Sequence, residues 1–122
     1  MTTQRIAMVF GVVFVLVGVL GFALNGFGME SSMLLGQFPV NVVHNCVHTA
    51  FGVWGLAAAR NAAGATAYCK IGGIVYLALG GAGFVVDNPM GLVPIGGNDT
   101  YLHLALGAIL AGTGFTMAPK TA

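Results

Sequence analysis

The stretch GVVFVLVGVLGFALN at residues 11–25 returns, altered but in register, as GIVYLALGGAGFVVD at residues 73–87. Gly11, Gly18 and Gly21 fall on Gly73, Gly80 and Gly83, Phe22 falls on Phe84, and Asn25 falls on Asp87. A second pair extends each copy. GQFPV at 36–40 lies over GLVPI at 91–95, and the register then carries His48 onto His103, Ala50 onto Ala105 and Gly52 onto Gly107. Glycine is abundant, 20 of 122 residues, so glycine matches alone carry little weight. The joint recurrence of Gly, Pro, His and Gly at fixed spacing marks an internal duplication. Its halves run from about 11 to 56 and from about 73 to 112, and the first copy has the longer middle loop.

Each half contains two long apolar runs, which places spans at about 6–25, 40–59, 67–87 and 99–117. Each is close to the ~20 residues that carry an α-helix across a hydrocarbon layer ~30 Å thick. Barrel strands would be half as long and would alternate in polarity, and these runs do not alternate. Composition agrees. Hydrophobic residues make up 57% of the chain and charged residues 6%, far too few to cover a soluble domain. The fold class expected is an all-α membrane protein, a single domain over 1–122. It is a bundle of four transmembrane helices built from two tandem hairpins. Because each hairpin crosses twice, both copies enter in the same direction, which implies a pseudo-twofold axis along the membrane normal.

The charges give the orientation. Arg5, Arg60, Lys70 and Lys120 all fall on one side of this arrangement, and Glu30, Asp87 and Asp99 on the other. The positive-inside rule makes the basic side cytoplasmic, with both termini there, as for a multi-pass protein of the cell (inner) membrane. The first run is longer than the apolar core of a cleaved signal peptide and has a repeat partner, so it reads as a permanent span. The glycines of spans one and three line one face of each helix, where small residues let helices approach closely in lipid. With a net charge of +1 and no basic cluster, the chain has no footprint for nucleic acid.

The residues able to carry chemistry gather in the outer halves of the second and fourth spans. His44 and His48 are four apart and share a helical face. The matching positions in the second copy are Asp99 and His103. If the duplication brings spans two and four together, His44, His48, Asp99 and His103 converge near the outer surface. Asn41, Asn45 and Asn98 are close by, and Glu30 and Asp87 lie in the outer loops. Three imidazoles and a carboxylate suit zinc or another first-row divalent ion. His48 and His103 are alternatively the two axial ligands of a haem, or hold a metal or pigment singly. Imidazoles beside an acid also relay protons or sense pH. Against these stands a purely structural reading. Polar side chains inside bundles often only bond to one another, and asparagines in first turns cap helices.

Other residues read as structural. Cys46 is a small apolar filler, and Cys46 and Cys69 lie near opposite membrane faces, too far apart to pair. Trp54 sits deep in its span, packing or facing lipid. Tyr68 and Tyr101 sit near span ends, where aromatic rings settle at headgroups. Pro39 and Pro94 are expected at the first helical positions of spans two and four.

The segment GQFPVNVVHNCVHTAFGVWGL at 36–56, with NDTYLHLALG at 98–107 and the GIVYL run at 73–77, resembles a bacterial membrane-protein family known as domain of unknown function 4383. The resemblance covers about residues 8–115. It implies a four-helix membrane protein with His44, Asn45, His48, Asp99 and His103 as signature positions, and it supplies no activity. With short loops and no catalytic constellation, the chain is expected to be a non-enzymatic accessory or interaction subunit, in a larger membrane complex or a homo-oligomer. The alternative is a metal- or haem-binding membrane protein. A small transporter or proton-linked sensor comes third, since four short spans enclose little room.

Overall fold

The computed structural model describes residues 2–28, 32–34, 38–85 and 98–117, with the side chains of 25, 32–34, 38–40 and 98–99 outside that description. The order of elements is α1 (Thr3–Asn25), β1 (Ser32–Leu34), β2 (Phe38–Val40), α2 (Val42–Ala58), α3 (Ala62–Gly83) and α4 (Asn98–Thr116). The expected four helices are present and dominate the fold. α1 and α3 are each long and apolar enough to cross a membrane.

Capping explains where the helices begin. Thr2, Asn41 and Asn61 each stand in extended conformation before a helix, and each accepts a hydrogen bond from the N–H three residues on. For Asn41 the donor is His44, at 2.9 Å. Asn61 starts α3 at Ala62, five residues before the expected start at 67, because the turn after α2 is so short. Gly26, at φ 75°, ends α1 in a conformation that favours glycine, and its N–H bonds to the Phe22 carbonyl at 3.0 Å.

One expectation fails here. Pro39 does not open α2. It lies in β2, antiparallel to β1 and opposite Met33, and the helix waits for the Asn41 cap. A proline lacks the N–H a ladder uses, yet it is tolerated in so short a two-stranded ribbon. Pro94, Glu30 and Asp87 lie outside the described residues.

α1 packs along α2 and α3 along α4, while α1 and α3 join the two pairs. Both close pairs meet through glycine notches. A Cβ on Gly52 would stand 2.6 Å from the Val15 nitrogen and 2.7 Å from the Gly11 oxygen. A Cβ on Gly107 would stand 2.6 Å from the Leu77 nitrogen and 3.0 Å from the Gly73 oxygen. Those neighbours are repeat mates, since Val15 corresponds to Leu77 and Gly11 to Gly73 in the alignment of residues 11–25 over 73–87. The reverse notches match too, with Gly11 against the Leu56 nitrogen and Gly73 against the Ala111 nitrogen.

At one end of the molecule the Gln4 amide donates to the Ala59 carbonyl at 3.2 Å, and Thr66 donates to Thr3 at 3.3 Å. These bonds draw the start of α1, the end of α2 and the start of α3 together, so Arg5 and Arg60 share that end. Lys70 lies over the Phe115 ring of α4, 5.2 Å from its centroid.

The core is unusually polar and the outside unusually apolar. Thr3, Asn41, His44, Asn45, His48, Thr100, His103 and Thr113 are buried, whereas Leu16, Val19, Leu24, Val53, Ile74 and Ile109 are more than half exposed. Tyr68, expected at a headgroup, is instead fully buried, packed on Phe51 and Trp54 with ring centroids 4.7 and 4.8 Å away. It projects inward from α3, a rotation that nearness to the span end does not reveal. Tyr101 is exposed. Cys46 is exposed as well and fills no core space, while Cys69 is buried with its thiol 4.0 Å from the Thr3 carbonyl.

Candidate metal centre

α2 brings His44 and His48 onto one face by their four-residue spacing, with ring centroids 4.2 Å apart. α4 brings His103 to meet them, 6.1 Å from His44 and 6.2 Å from His48. All three are buried, and one ligating nitrogen from each can be chosen so that the three lie within 4.8 Å of one another. The cluster sits within two turns of the starts of α2 and α4, at the end opposite Arg5 and Arg60.

The expected set is therefore assembled in part. His44, His48 and His103 come together. Asp99 has its backbone in the first turn of α4, one turn before His103, and its side chain lies outside the described residues, as does that of Asn98. Asn45 is 1% exposed, yet it is not a cap. It lies against Gly21 of α1, where a Cβ would overlap its side-chain amide, and its backbone carbonyl accepts from Thr49 Oγ1 at 2.8 Å.

Two aromatic residues that the sequence did not single out complete the surroundings. Tyr76 of α3 packs on His103 at 5.3 Å and on His48 at 6.4 Å between centroids. Phe14 of α1 packs on His48 at 5.6 Å and stacks on Tyr76 at 5.3 Å, with planes 7° apart. Phe14 and Tyr76 are themselves repeat mates, aligned when residues 11–25 are laid over 73–87. That equivalence was the available signal for them. If one histidine of a duplicated pair sits near the centre, its neighbours from the other helix pair belong there too.

The arrangement suits an ion better than a larger group. Three nitrogens holding a tetrahedral ion at 2.0–2.1 Å would stand about 3.3 Å apart. Donors already within 4.8 Å reach that by small side-chain rotations. The Nδ1 of His48 and both polar atoms of the Asn45 amide are buried with no hydrogen-bond partner among the described residues. Leaving a buried polar atom unpaired costs ~1–3 kcal/mol, and coordination or a polar ligand would relieve it. A porphyrin between His48 and His103 would have to displace both His44 and Tyr76, since each packs against both rings.

Comparison with known proteins gives one finding. The family model described as Domain of unknown function (DUF4383) matches residues 4–116. No curated protein and no solved structure matches the chain.

Proposed function

We propose that this chain, which belongs to the family of the domain of unknown function DUF4383, crosses the membrane four times and holds a first-row transition-metal ion on His44, His48 and His103. The inverted distribution of polarity supports the membrane reading. A soluble helical protein buries its apolar side chains. Here histidines, asparagines and threonines are inside while large aliphatic side chains face outward on all four helices. At 1.5 Å per residue the 23, 17, 22 and 19 residues of α1 to α4 span about 34, 26, 33 and 28 Å. All four lengths suit a hydrocarbon layer of ~30 Å. With Arg5, Arg60 and Lys70 at one end, that end is cytoplasmic and the histidines lie near the opposite face.

A pseudo-twofold axis is supported by which residues meet. Residues near such an axis must contact their own repeat mates. Phe14 stacks on Tyr76, His48 packs against His103, and the glycine notches of the two hairpins have equivalent neighbours. The exception is functional. The mate of His44 is Asp99, so duplication yields three imidazoles and a carboxylate position rather than four imidazoles.

The observation that carries the metal reading is the mutual approach of three buried imidazole nitrogens to within 4.8 Å. Imidazole suits zinc, copper, iron and nickel, and the fixed positions on two helices preorganise the donors. The binding role of a non-enzymatic membrane protein is thereby given residues, which the accessory reading lacks. The test is elemental analysis of protein purified gently from membranes, followed by titration of the stripped protein with Zn(II), Cu(II) and Co(II). One ion per chain is expected, with intense visible absorption from the Co(II) form. His48→Ala and His103→Ala are expected to lose both. A protein that takes up none of the three ions would return the cluster to a structural role. A Soret band lost in the same variants would replace the ion with haem. Topology is checked separately by reporter fusions at the C-terminus and between β1 and β2.

A further inference from the structure

At the end of the molecule far from the histidines, Gln4, Arg5, Met8, Val9 and Ala59 line a cleft of about 270 Å³ between α1 and the end of α2. We propose that this cleft binds an anionic phospholipid, its phosphate on Arg5 and one acyl chain along α1. Three observations point to that occupant.

The first is the split character of the cleft. Its walls are apolar, with Met8 50% and Val9 46% exposed, and its rim is cationic. A guanidinium presents paired N–H donors that match a phosphate. Arg60, also exposed, follows directly on Ala59 and adds a second positive charge to that end of the molecule.

The second is continuity. Arg5, Val9, Val12, Leu16 and Val19 recur at three- and four-residue spacing, so they form one stripe along α1. Val12, Leu16 and Val19 are 43%, 62% and 53% exposed. From Arg5 to Leu16 the stripe rises about 16 Å, enough to accompany an acyl chain to the middle of a bilayer whose core is ~30 Å thick.

The third is the absence of an internal competitor. Among the described residues no carboxylate lines the cleft or lies against Arg5, and the chain's three acidic side chains, Glu30, Asp87 and Asp99, are all distant from it in sequence. The rim charge is thus available to a ligand, and the nearest abundant anion at a cytoplasmic surface is a lipid headgroup.

This inference rests on the membrane reading but not on the metal. A chain that does not partition into bilayers defeats the membrane reading. One that partitions without headgroup preference defeats only the lipid site. The experiment is native mass spectrometry of the full-length protein in mild detergent, with phosphatidylglycerol and phosphatidylcholine of identical chains. Phosphatidylglycerol is expected to be retained about fivefold over phosphatidylcholine, the worth of one basic side chain near an anionic surface. Arg5→Gln removes that preference. Val9→Trp, which keeps the charge and fills the cleft, removes it too. Lys70→Gln, a cation at the same end but on the other hairpin, leaves it unchanged, and so does His48→Ala. Glycerol phosphate, which has the headgroup but no chain, does not displace the lipid. Equal retention of the two lipids, full retention in Val9→Trp, or an equal loss in Lys70→Gln would each overturn the proposal.

Discussion

Replace Gly52 with alanine and the added methyl meets backbone on two sides. Its carbon would sit 2.6 Å from the Val15 nitrogen and 2.7 Å from the Gly11 oxygen. Those two atoms are the donor and acceptor of one rung of α1, so neither can turn aside as a side chain would. Restoring an ordinary contact of 3.4 Å requires α1 and α2 to part by about 0.8 Å at their crossing. Overpacking of this kind costs about 1–3 kcal/mol, and the rigidity of both neighbours favours the upper end. Alanine regains about 1 kcal/mol over glycine in a helix interior. The net loss is therefore about 2 kcal/mol. Gly107→Ala meets the corresponding rung of α3, between Leu77 and Gly73, and the same loss follows. Gly81 and Gly112 have nothing within 4 Å of an added Cβ, so alanine there is expected to stabilise by about 1 kcal/mol. The double variant Gly52→Ala/Gly107→Ala loses about 4 kcal/mol, because the two crossings share no partner. Equilibrium unfolding in mixed detergent micelles, read by the single tryptophan Trp54 against Phe51 and Tyr68, measures all five variants. If Gly52→Ala and Gly107→Ala were as stable as Gly81→Ala, the notched packing would be wrong. If only one of them were destabilised, the equivalence of the two hairpins would be wrong.

Other consequences are open to the same assay. Asn41→Ala and Asn61→Ala each remove a helix cap and are expected to cost about 1 kcal/mol, but only Asn41→Ala weakens metal uptake in the Co(II) titration, because its carboxamide holds the His44 N–H at 2.9 Å. Tyr68→Phe is expected to be neutral or slightly stabilising, since the hydroxyl is buried without a hydrogen-bond partner among the described residues, while Tyr68→Ala loses about 3–5 kcal/mol of packing; a clear loss in Tyr68→Phe would reveal a partner for that hydroxyl. Stripped protein with Zn(II) at about a hundred times its dissociation constant gains about 2.7 kcal/mol over the metal-free form, and His48→Ala shows no such gain; thermal unfolding with and without chelator decides this.

The sequence alone determined the number of helices and the family. Long apolar runs are local facts, because a segment of that length can satisfy its own backbone as a helix whatever its neighbours do, as the proposed bilayer setting would require. The same holds for the pairing of His44 with His48, which follows from a four-residue spacing on any helix. The boundaries were less legible. Asn41 and Asn61 fix the starts of α2 and α3 by single hydrogen bonds, and Pro39, which has the residue type of a helix start, was taken into a short ribbon.

The tertiary structure alone decided the rotation of each helix about its own axis. Hydropathy cannot set that rotation when every face is apolar enough for lipid. It is set where glycine notches let backbones touch, a condition that depends on two helices at once. That condition turns Tyr68 and Asn45 inward, sends Cys46 outward, and stacks Phe14 on Tyr76 beside His48 and His103. His103, far along the chain from His44 and His48, thereby joins them around a shared centre, because matched notches hold the two helix pairs in place.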